Sequence, residues 1–500
     1  MKKSDILKII FIFIIVFSII IVKPINNLDE IWNYNTARAI SEGLIPYKDI
    51  SMITTPLLPM ITAIFLKIFA NEVIISRILT AILWTGILFT IYKTFEKLLK
   101  EENISLIFTA LIGILCRDIY CIDYNVTVLF LALIILNQEL KNIKNVTQYN
   151  KKQDFVIGLL AGLAICTKQS IGVTLAIIVV GYKILFIENK AQIKQYLKMA
   201  FTRILGIILP VGILFIYLIL NNALNDFINY AVLGISTFSN KIKYITLLSN
   251  GKIEIRMLSM LMPLSIIIMA LTLIISKIKN KENENILNIL TILVYSLSII
   301  IVMYPISDEI HFLIGGLIAI IGLIYIIFLL LKNKSFKNEN LKTYKILTSI
   351  ICVILFAVIL KAGVTNIYNY AKIEKNKDIK HYYNIEISKG LAEKISNIDN
   401  YILEKEKQGK KVYILDAEAA IYMIPINKYN KDYDMFLKGN IGKDGEQGQI
   451  EKIKQKNANE MFLIRKANLR TNWQTPLDVV NYVRENLEKV EEISIFEVYE

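Results

Sequence analysis

The sequence predicts an α-helical polytopic membrane protein with about eleven transmembrane helices and a small C-terminal α/β domain. Hydrophobic residues make up 55% of the 500-residue chain and charged residues only 20%, which is too apolar for a soluble globular protein of this size. The apolar residues are concentrated in runs such as 6–22, 255–275 and 312–331. Each run is close to the ~20 residues that cross a bilayer as a helix. From residue 363 onward the composition becomes charged and polar, which indicates a separate domain.

Candidate spans are the apolar runs that separate clusters of Lys and Arg. Within a bilayer the backbone polar groups must be satisfied inside the chain, so each run is expected to be a helix. The two short runs that flank 167–170 fit a re-entrant hairpin as well as two full crossings, and either version returns the chain to the same side. The candidate spans are 6–24, 73–92, 103–119, 123–140, 154–167, 170–187, 201–220, 256–276, 285–303, 311–331 and 346–362.

The distribution of positive charge predicts that the N-terminus lies on the inner side of the membrane and the C-terminus on the outer side. Lys and Arg are much denser in the segments that this orientation places inside than in those it places outside. The net charge of +14 is therefore better explained by topology than by nucleic-acid binding. The first apolar run is long and lacks a small-residue cleavage site after it, so we expect a retained anchor. The abundance of Ile, Lys and Asn is typical of an AT-rich bacterial genome, which predicts a bacterial plasma membrane.

Two domains are expected, a transmembrane domain at 1–362 and an extracytoplasmic α/β domain at 363–500. An outer loop at 25–72 belongs to the first. In this loop, 29–42 is expected to form an amphipathic surface helix, and the residues expected to face lipid are Ile31, Tyr34, Ala37 and Ile40 or their neighbours. In the second domain the predicted elements are strands at 411–415, 461–464 and 493–498, helices at 383–408 and 475–488, and an exposed glycine-rich loop at 438–448.

The adjacent acids Asp29 and Glu30 follow the first span directly. Two carboxylates at a membrane interface can accept a proton from a hydroxyl nucleophile or hold a sugar hydroxyl. Taken in isolation, the pair fits better as a solvated flank or as the N-cap of the next helix. The residues around the pair decide between these interpretations.

The context of Asp29 and Glu30 resembles the first outer loop of the GT-C superfamily of polyprenyl-phosphate-sugar-dependent glycosyltransferases. The similarity is strongest to the branch that contains the protein O-mannosyltransferases and the lipid A aminoarabinose transferase. In that branch an Asp-Glu pair opens the loop, and a Gly-x-x-Pro-Tyr-x-Asp turn and a proline-rich entry into the next helix follow. The resemblance covers roughly 5–362, and the stretches that carry it are 29–49, 55–59, 158–169 and 304–311.

The resemblance implies a GT-C-like fold and an inverting glycosyltransferase. Such an enzyme moves a sugar from a polyprenyl-phosphate donor to a hydroxyl of a protein, a glycolipid or a cell-wall or capsule polymer, on the outer face of the membrane. Asp29 would be the catalytic base and Glu30 would orient the acceptor or the sugar. The residues expected to bind the substrate or the donor phosphate, with Lys168 the first choice, are Lys168, Lys48, Arg38, Tyr47, Asp123, Asp308 and His311.

Other interpretations remain open from the sequence. A transporter or flippase of a lipid-linked glycan, or a non-catalytic envelope protein, also has many spans, although the span centres are almost purely apolar and show no repeat. Lys48 and Arg38 also fit simple binding of anionic headgroups, and Asp123 fits an N-cap of the fourth span. His311 fits a cap of the tenth span or a pair with Asp308. The four cysteines show no metal-ligand spacing, so neither a metal nor a cofactor is expected.

Overall fold

The computed structural model describes residues 2–25, 27–141, 148–187, 189–238, 241–278, 284–335 and 341–500. The helices up to Lys372 are α1 (Lys3–Ile21), α2 (Leu28–Ser41), α3 (Leu57–Ile68), α4 (Val73–Leu99), α5 (Glu102–Cys116), α6 (Tyr124–Lys141), α7 (Lys151–Thr167), α8 (Gln169–Gly181), α9 (Lys190–Leu220), α10 (Leu224–Phe227), α11 (Ile253–Ile278), α12 (Glu284–Ile299), α13 (Glu309–Ser335) and α14 (Leu341–Lys372). The later elements are α15 (Lys389–Lys407), β1 (Lys411–Ile414), α16 (Ala419–Met423), α17 (Gly445–Lys454), β2 (Glu460–Arg465), α18 (Leu477–Asn486), β3 (Lys489–Ile493) and β4 (Phe496–Tyr499).

Eight of these helices are long and apolar enough to cross a membrane. They are α1, α4, α8 with the 3₁₀ turn that extends it to Phe186, α9, α11, α12, α13 and α14. All eight coincide with predicted spans, which confirms a multi-pass α-helical membrane protein. The remaining predicted spans fall on α5, α6 and α7, which are helical but shorter or more polar. The count of eleven crossings and the orientation of the chain stay predictions.

Helices α7 and α9 approach each other closely through glycine. A Cβ atom added at Gly158 would lie 2.1 Å from the backbone oxygen of Arg203, and one at Gly162 would lie 2.6 Å from that of Ile207. Gly206 of α9 meets the backbone of Phe155 in the same way. Small residues four apart let two helix backbones pack together in a membrane. The glycine-rich stretch of the sequence therefore fixes α7 against α9.

A network of buried ion pairs joins α6 to α9. Arg203 of α9 lies 2.7 Å from Glu139 of α6 and 2.9 Å from Asp154 of α7, while Lys183, just after α8, lies 2.9 Å from Glu139. All four side chains are at most 6% exposed. Because breaking such a pair leaves an uncompensated buried charge, the network strongly disfavours separation of these helices. We refer to Glu139, Asp154, Lys183 and Arg203 as the ion-pair network.

The C-terminal domain contains a four-stranded sheet in the order β1-β2-β4-β3. Strands β1 and β2 are parallel, whereas β4 is antiparallel to both β2 and β3. Alternate residues of β2 face opposite sides, so Met461 and Leu463 pack towards α15 and Phe462 and Ile464 pack towards α17 and α18. The sheet is thus covered on both faces, as expected for a small α/β unit.

Two expectations for the C-terminal domain are wrong. The strand predicted at 493–498 is a hairpin, with β3 ending at Ile493 and β4 starting at Phe496, because Ser494 at φ 50° reverses the chain there. The glycine-rich stretch 438–448 is not an exposed loop. Most of it is buried or half-buried, and from Gly445 it forms the start of α17.

The outer loop forms the predicted surface helix, but its apolar face does not face lipid. Ile31, Tyr34 and Ala37 of α2 are fully buried in one cluster with Tyr382 and Ile395 of the C-terminal domain. Ile40 is half-buried in a second cluster with Tyr47 and Phe227. The prediction of an amphipathic helix is therefore confirmed, whereas its apolar face packs against protein rather than lipid. The C-terminal domain is seated directly on the helix that begins with the Asp-Glu pair.

Candidate functional site

The site is built around the first turn of α2. Asn27 caps this helix, since its side chain accepts a hydrogen bond from the backbone N–H of Glu30. Asp29 and Glu30 both lie in the first turn, where the helix dipole favours negative charge. Successive residues of a helix point about 100° apart, so the two carboxylates are directed to different surroundings.

Glu30 is engaged in a bidentate ion pair. Its two carboxylate oxygens accept hydrogen bonds from Nε and Nη2 of Arg77, at 2.8 and 2.9 Å. Arg77 is fully buried in α4 and also donates to the backbone oxygen of Lys23, at 2.6 Å. This fork geometry is the strongest form of a carboxylate contact. Glu30 therefore ties the start of α2 to the end of α1 and the start of α4.

Asp29, by contrast, has a carboxylate without a partner. Among the described residues no side chain or backbone group donates a hydrogen bond to it, although its backbone oxygen accepts one from Asn33 at 2.8 Å. Burial raises the pKa of Asp29 to about 7, and the nearby negative charges of Asp123 and Asp308 act in the same direction. The positive charge of Lys168 partly opposes this rise in pKa. A carboxylate with this pKa is suited to act as a base near neutral pH.

Asp123 lies within electrostatic range of Asp29 and caps α6. Its Oδ1 atom accepts hydrogen bonds from the backbone N–H groups of Asn125 and Val126, at 2.7 and 3.2 Å. The sequence alternative that Asp123 is an N-cap is thus observed. Burial raises the pKa of Asp123, while the charge of Lys168 lowers it. Asp123 adds negative charge beside Asp29 as well as starting the helix.

Lys168 is the cation that the structure brings to this cluster. It is the single residue between α7 and α8, in an extended conformation at φ −150° and ψ 111°. Its Nζ atom donates to Oδ1 of Asn125 at 2.7 Å and lies 4.6 Å from the centre of the Tyr124 ring. Burial lowers the pKa of Lys168 to about 8, and the charges of Asp123 and Asp29 counteract part of that effect. The ammonium is therefore mostly protonated at neutral pH.

Asp308 and His311 complete the cluster from the start of α13. Asp308 Oδ1 accepts from the backbone N–H of His311 at 2.9 Å and lies 2.7 Å from its Nδ1 atom. Burial opposes ionisation of Asp308, but the hydrogen bonds and charge of His311 hold its pKa below the usual value. The pairing of His311 with Asp308 is thus observed, whereas the cap of α13 is the side chain of Asp308 and not that of His311. The two residues act on Asp29 through their charges rather than through a contact.

A narrow cleft opens beside Asp29. Aromatic, aliphatic and thioether side chains form most of its wall, and Asp29 is the one titratable carboxylate in that wall. Its lining residues are Asp29, Trp32, Asn33, Thr36, Met52, Ile53, Thr54, Pro59, Tyr124 and Met435. Met435 comes from the C-terminal domain, so both domains contribute to the cleft. The described residues contain no group of His, Cys, Asp and Glu side chains able to hold a metal ion.

Three predicted site residues lie outside this cluster. Arg38 is fully buried against the C-terminal domain, where it donates to the backbone oxygen of Lys428 at 2.9 Å. Nine residues beyond Asp29 on the same helix, it starts roughly 13 Å away. Tyr47 is buried at φ 70° and donates to the backbone oxygen of Thr54 at 2.6 Å. The Nζ atom of Lys48 donates to the backbone oxygen of Asn221 at 3.4 Å.

Sequence reasoning missed two residues with clear roles here. The pairing of Arg77 with Glu30 could have been predicted from the sequence. A lone arginine at the start of an apolar span needs a carboxylate partner, and Glu30 is close by in the predicted topology. The role of Met435 could not, since it lies more than 400 residues from Asp29 in a stretch without a recognisable motif. Only the folded arrangement of the two domains brings it to the cleft.

Comparison with solved structures gives the class of the fold: the chain has a GT-C-like fold. The particular structures are those of ArnT from Cupriavidus metallidurans, a GT-C lipid A aminoarabinose transferase. The apo structure matches with a TM-score of 0.55 and 12% identity over 99% of this chain and 97% of that one. The structure bound to undecaprenyl phosphate matches with a TM-score of 0.53 and 12% identity, over 100% and 98%. No protein-family model and no curated protein matches the sequence.

Proposed function

We propose that the protein is an inverting glycosyltransferase that moves a sugar from a polyprenyl-phosphate donor to a hydroxyl acceptor. The observation that carries this proposal is the carboxylate of Asp29, which has a pKa of about 7 and no hydrogen-bond partner among the described residues, in a cleft near the half-buried Lys168. The ArnT structure that holds undecaprenyl phosphate supports a lipid-linked donor. The acceptor class and the identity of the sugar belong to this proposal as well.

Asp29 is the general base in the proposed reaction. Its carboxylate takes the proton of the acceptor hydroxyl as that oxygen attacks the anomeric carbon from the face opposite the phosphate. The bond from the anomeric carbon to the phosphate oxygen breaks, and its electron pair leaves with the polyprenyl phosphate. The new glycosidic bond has inverted configuration. A base with a pKa near the working pH is effective because it is ionised and still binds the proton well.

Lys168 stabilises the charge that develops on the leaving phosphate. Its ammonium is held by Asn125 and by the ring of Tyr124, so it is already in place before the donor arrives. Fixed cations at the position where negative charge develops lower the barrier without reorganising during the reaction. We assign Asp123, Asp308 and His311 to setting the charge around these two groups, and Glu30 to positioning α2 through Arg77.

The reaction takes place on the outer face of the plasma membrane in this proposal. The density of Lys and Arg along the chain supports an orientation with α2, Lys168 and the start of α13 on that side. A lipid-linked donor that has been moved to the outer leaflet would meet the cleft there. The contacts of Arg38, Lys48 and Tyr47 favour structural or surface roles for these three residues.

The test is transfer from radiolabelled polyprenyl-phosphate sugars by purified protein in liposomes, with wild type compared to Asp29→Asn. We expect the variant to lose about 10²- to 10⁴-fold in rate. Asp118→Asn is the matched control, because Asp118 is half-exposed and pairs with Lys252 away from the cleft. A wild type that consumes no donor, or an Asp29→Asn variant as active as wild type, would contradict the proposal and favour transport or scaffolding.

A further inference from the structure

A segment of the C-terminal domain, 428–443, contacts α2 and the residues after α10 and contributes to the cleft. At one end it is attached to α2. Arg38 donates to the backbone oxygen of Lys428, and its guanidinium lies 4.1 Å from the centre of the Tyr429 ring. The Tyr429 hydroxyl in turn donates to Glu42 at 2.6 Å. Arg38, which the sequence suggested as a donor ligand, thus anchors this segment to the helix that carries Asp29.

The other end of the segment is attached to the loop after α10. The hydroxyl of Tyr230 donates to Asp432, and the backbone N–H of Lys443 donates to Oδ1 of Asn229 at 3.0 Å. Gly439, at φ +88°, lies so close to Phe238 that an added Cβ atom would be 2.7 Å from the ring. These contacts hold the segment at both ends, so its middle part has a defined position.

Met435 occupies that middle part and reaches the cleft of Asp29. Its side chain is half-buried and packs against the apolar cluster that contains Trp32. Trp32 is itself fixed, since its indole N–H donates to the backbone oxygen of Ala417 at 2.9 Å. Met435 is the one cleft residue contributed by the C-terminal domain among the described residues. A flexible thioether therefore forms the part of the cleft wall that comes from the C-terminal domain.

We propose that Met435 determines which acceptor reaches Asp29, and that the acceptor group is an uncharged, hydroxyl-bearing sugar ring. This inference rests on the proposed function. The side chains of Trp32, Tyr124 and Met435 in the cleft wall suit the apolar face of a ring, while the carboxylate of Asp29 in the same wall suits a hydroxyl. An anionic acceptor group is disfavoured, because Asp29 and Asp123 would repel it.

The experiment compares wild type, Met435→Ala and Met435→Trp for transfer to an octyl monoglycoside, an octyl diglycoside and a Ser-containing peptide. Donor dissociation constants are measured in parallel. We expect Met435→Trp to raise the KM for the monoglycoside by about tenfold or more. Met435→Ala should improve kcat/KM for the larger diglycoside relative to the monoglycoside. Donor affinity should stay within about twofold of wild type in both variants. Met260→Trp, at a lipid-facing position of α11, is the matched control.

The outcomes separate this inference from the proposed function. If wild type transfers sugar but both Met435 variants keep its KM values and acceptor preference, the role of Met435 is overturned. If the peptide is glycosylated and neither glycoside is, the sugar-ring acceptor is overturned. If wild type consumes no donor at all, the proposed function fails and this inference fails with it. A change in acceptor KM with unchanged donor affinity supports the role, because a general folding defect would weaken both.

Discussion

Two groups of charge, one buried and one half-buried, lie at opposite ends of α7, and they are assembled on different principles. In the ion-pair network each carboxylate has a cationic partner, and the four side chains are almost completely enclosed. In the cluster around Asp29 the acids outnumber the fixed cations, and Asp29 itself has no partner among the described residues. The two groups are about 20 Å apart along the helix axis.

The difference separates charges that hold the structure from charges that are available for chemistry. Substitution of one member of a buried ion pair destabilises the fold, because the other member is left as a buried charge without a partner. An unpaired carboxylate costs stability, and such perturbed groups concentrate at functional sites. The same helix thus belongs to the ion-pair network at one end and leads into Lys168, in the cluster around Asp29, at the other.

The largest expected effect is on stability, at the ion-pair network. Glu139→Gln should destabilise the protein by about 3–5 kcal/mol, because Lys183 and Arg203 both lose their shared carboxylate. Thermal unfolding of the purified protein in detergent measures this loss. Asp29→Asn is the contrasting variant. It removes a carboxylate whose ionisation is disfavoured by burial, so stability above pH 7 should stay equal or rise. Equal losses in the two variants would contradict the comparison.

The next effect is on catalysis, at Lys168. Lys168→Met should lower the transfer rate by about 10²-fold, since the departing phosphate loses a fixed cation. Lys48→Met is the matched control, because Lys48 donates to the backbone oxygen of Asn221 away from the cleft and binding of a headgroup is worth about 1 kcal/mol. Rates are compared at saturating donor. If both variants lose the same activity, Lys168 has no special relation to the donor.

The pH profile of transfer should be bell-shaped with a maximum between about 7 and 8. Asp29 must be ionised to accept a proton, so the rate rises with pH until its pKa of about 7. Lys168 must be protonated, so the rate falls as pH exceeds its pKa of about 8. Lys168→Arg should remove the alkaline fall, because arginine stays protonated in this range. An alkaline fall that persists in Lys168→Arg assigns it to a different group.

The smallest effect is expected at His311. His311→Asn should lower the transfer rate by less than about tenfold, because His311 contacts Asp308 and reaches Asp29 only through its charge. The acid limb of the pH profile is the more informative measurement. Loss of a positive charge near Asp29 should shift that limb to higher pH. A loss of rate as large as that of Asp29→Asn would instead mean that His311 contacts the substrate.

The membrane fold and part of the site were accessible from the sequence because their causes are local. Apolar runs of span length form helices wherever the solvent is lipid, so the spans fell close to the observed helices. The predicted topology puts Asp29, Asp123, Lys168, Asp308 and His311 on one side of the membrane, and the structure brings the other four within electrostatic range of Asp29. Their catalytic roles stay predictions.

The features of the fold and of the site that could not be predicted from the sequence depend on contacts between the two domains. The apolar pattern of α2 does not distinguish lipid from protein as its partner, so Ile31 and Tyr34 were assigned to the wrong surroundings. Arg38 suggested a phosphate ligand by its charge, yet its partners at 427–429 are nearly 400 residues away in sequence. No local pattern encodes such distant partners.

The single-residue joint between α7 and α8 has a consequence for donor binding. Many phosphate sites use loops that become ordered only when the ligand arrives, and the lost freedom subtracts from affinity. The backbone of Lys168 is held in place, because α7 ends at the residue before it and α8 begins at the residue after it. Gly172 lets these two helices pack together. The ammonium is therefore ordered when the chain folds, so the proposed reaction involves no further loss of entropy from ordering it at each turnover.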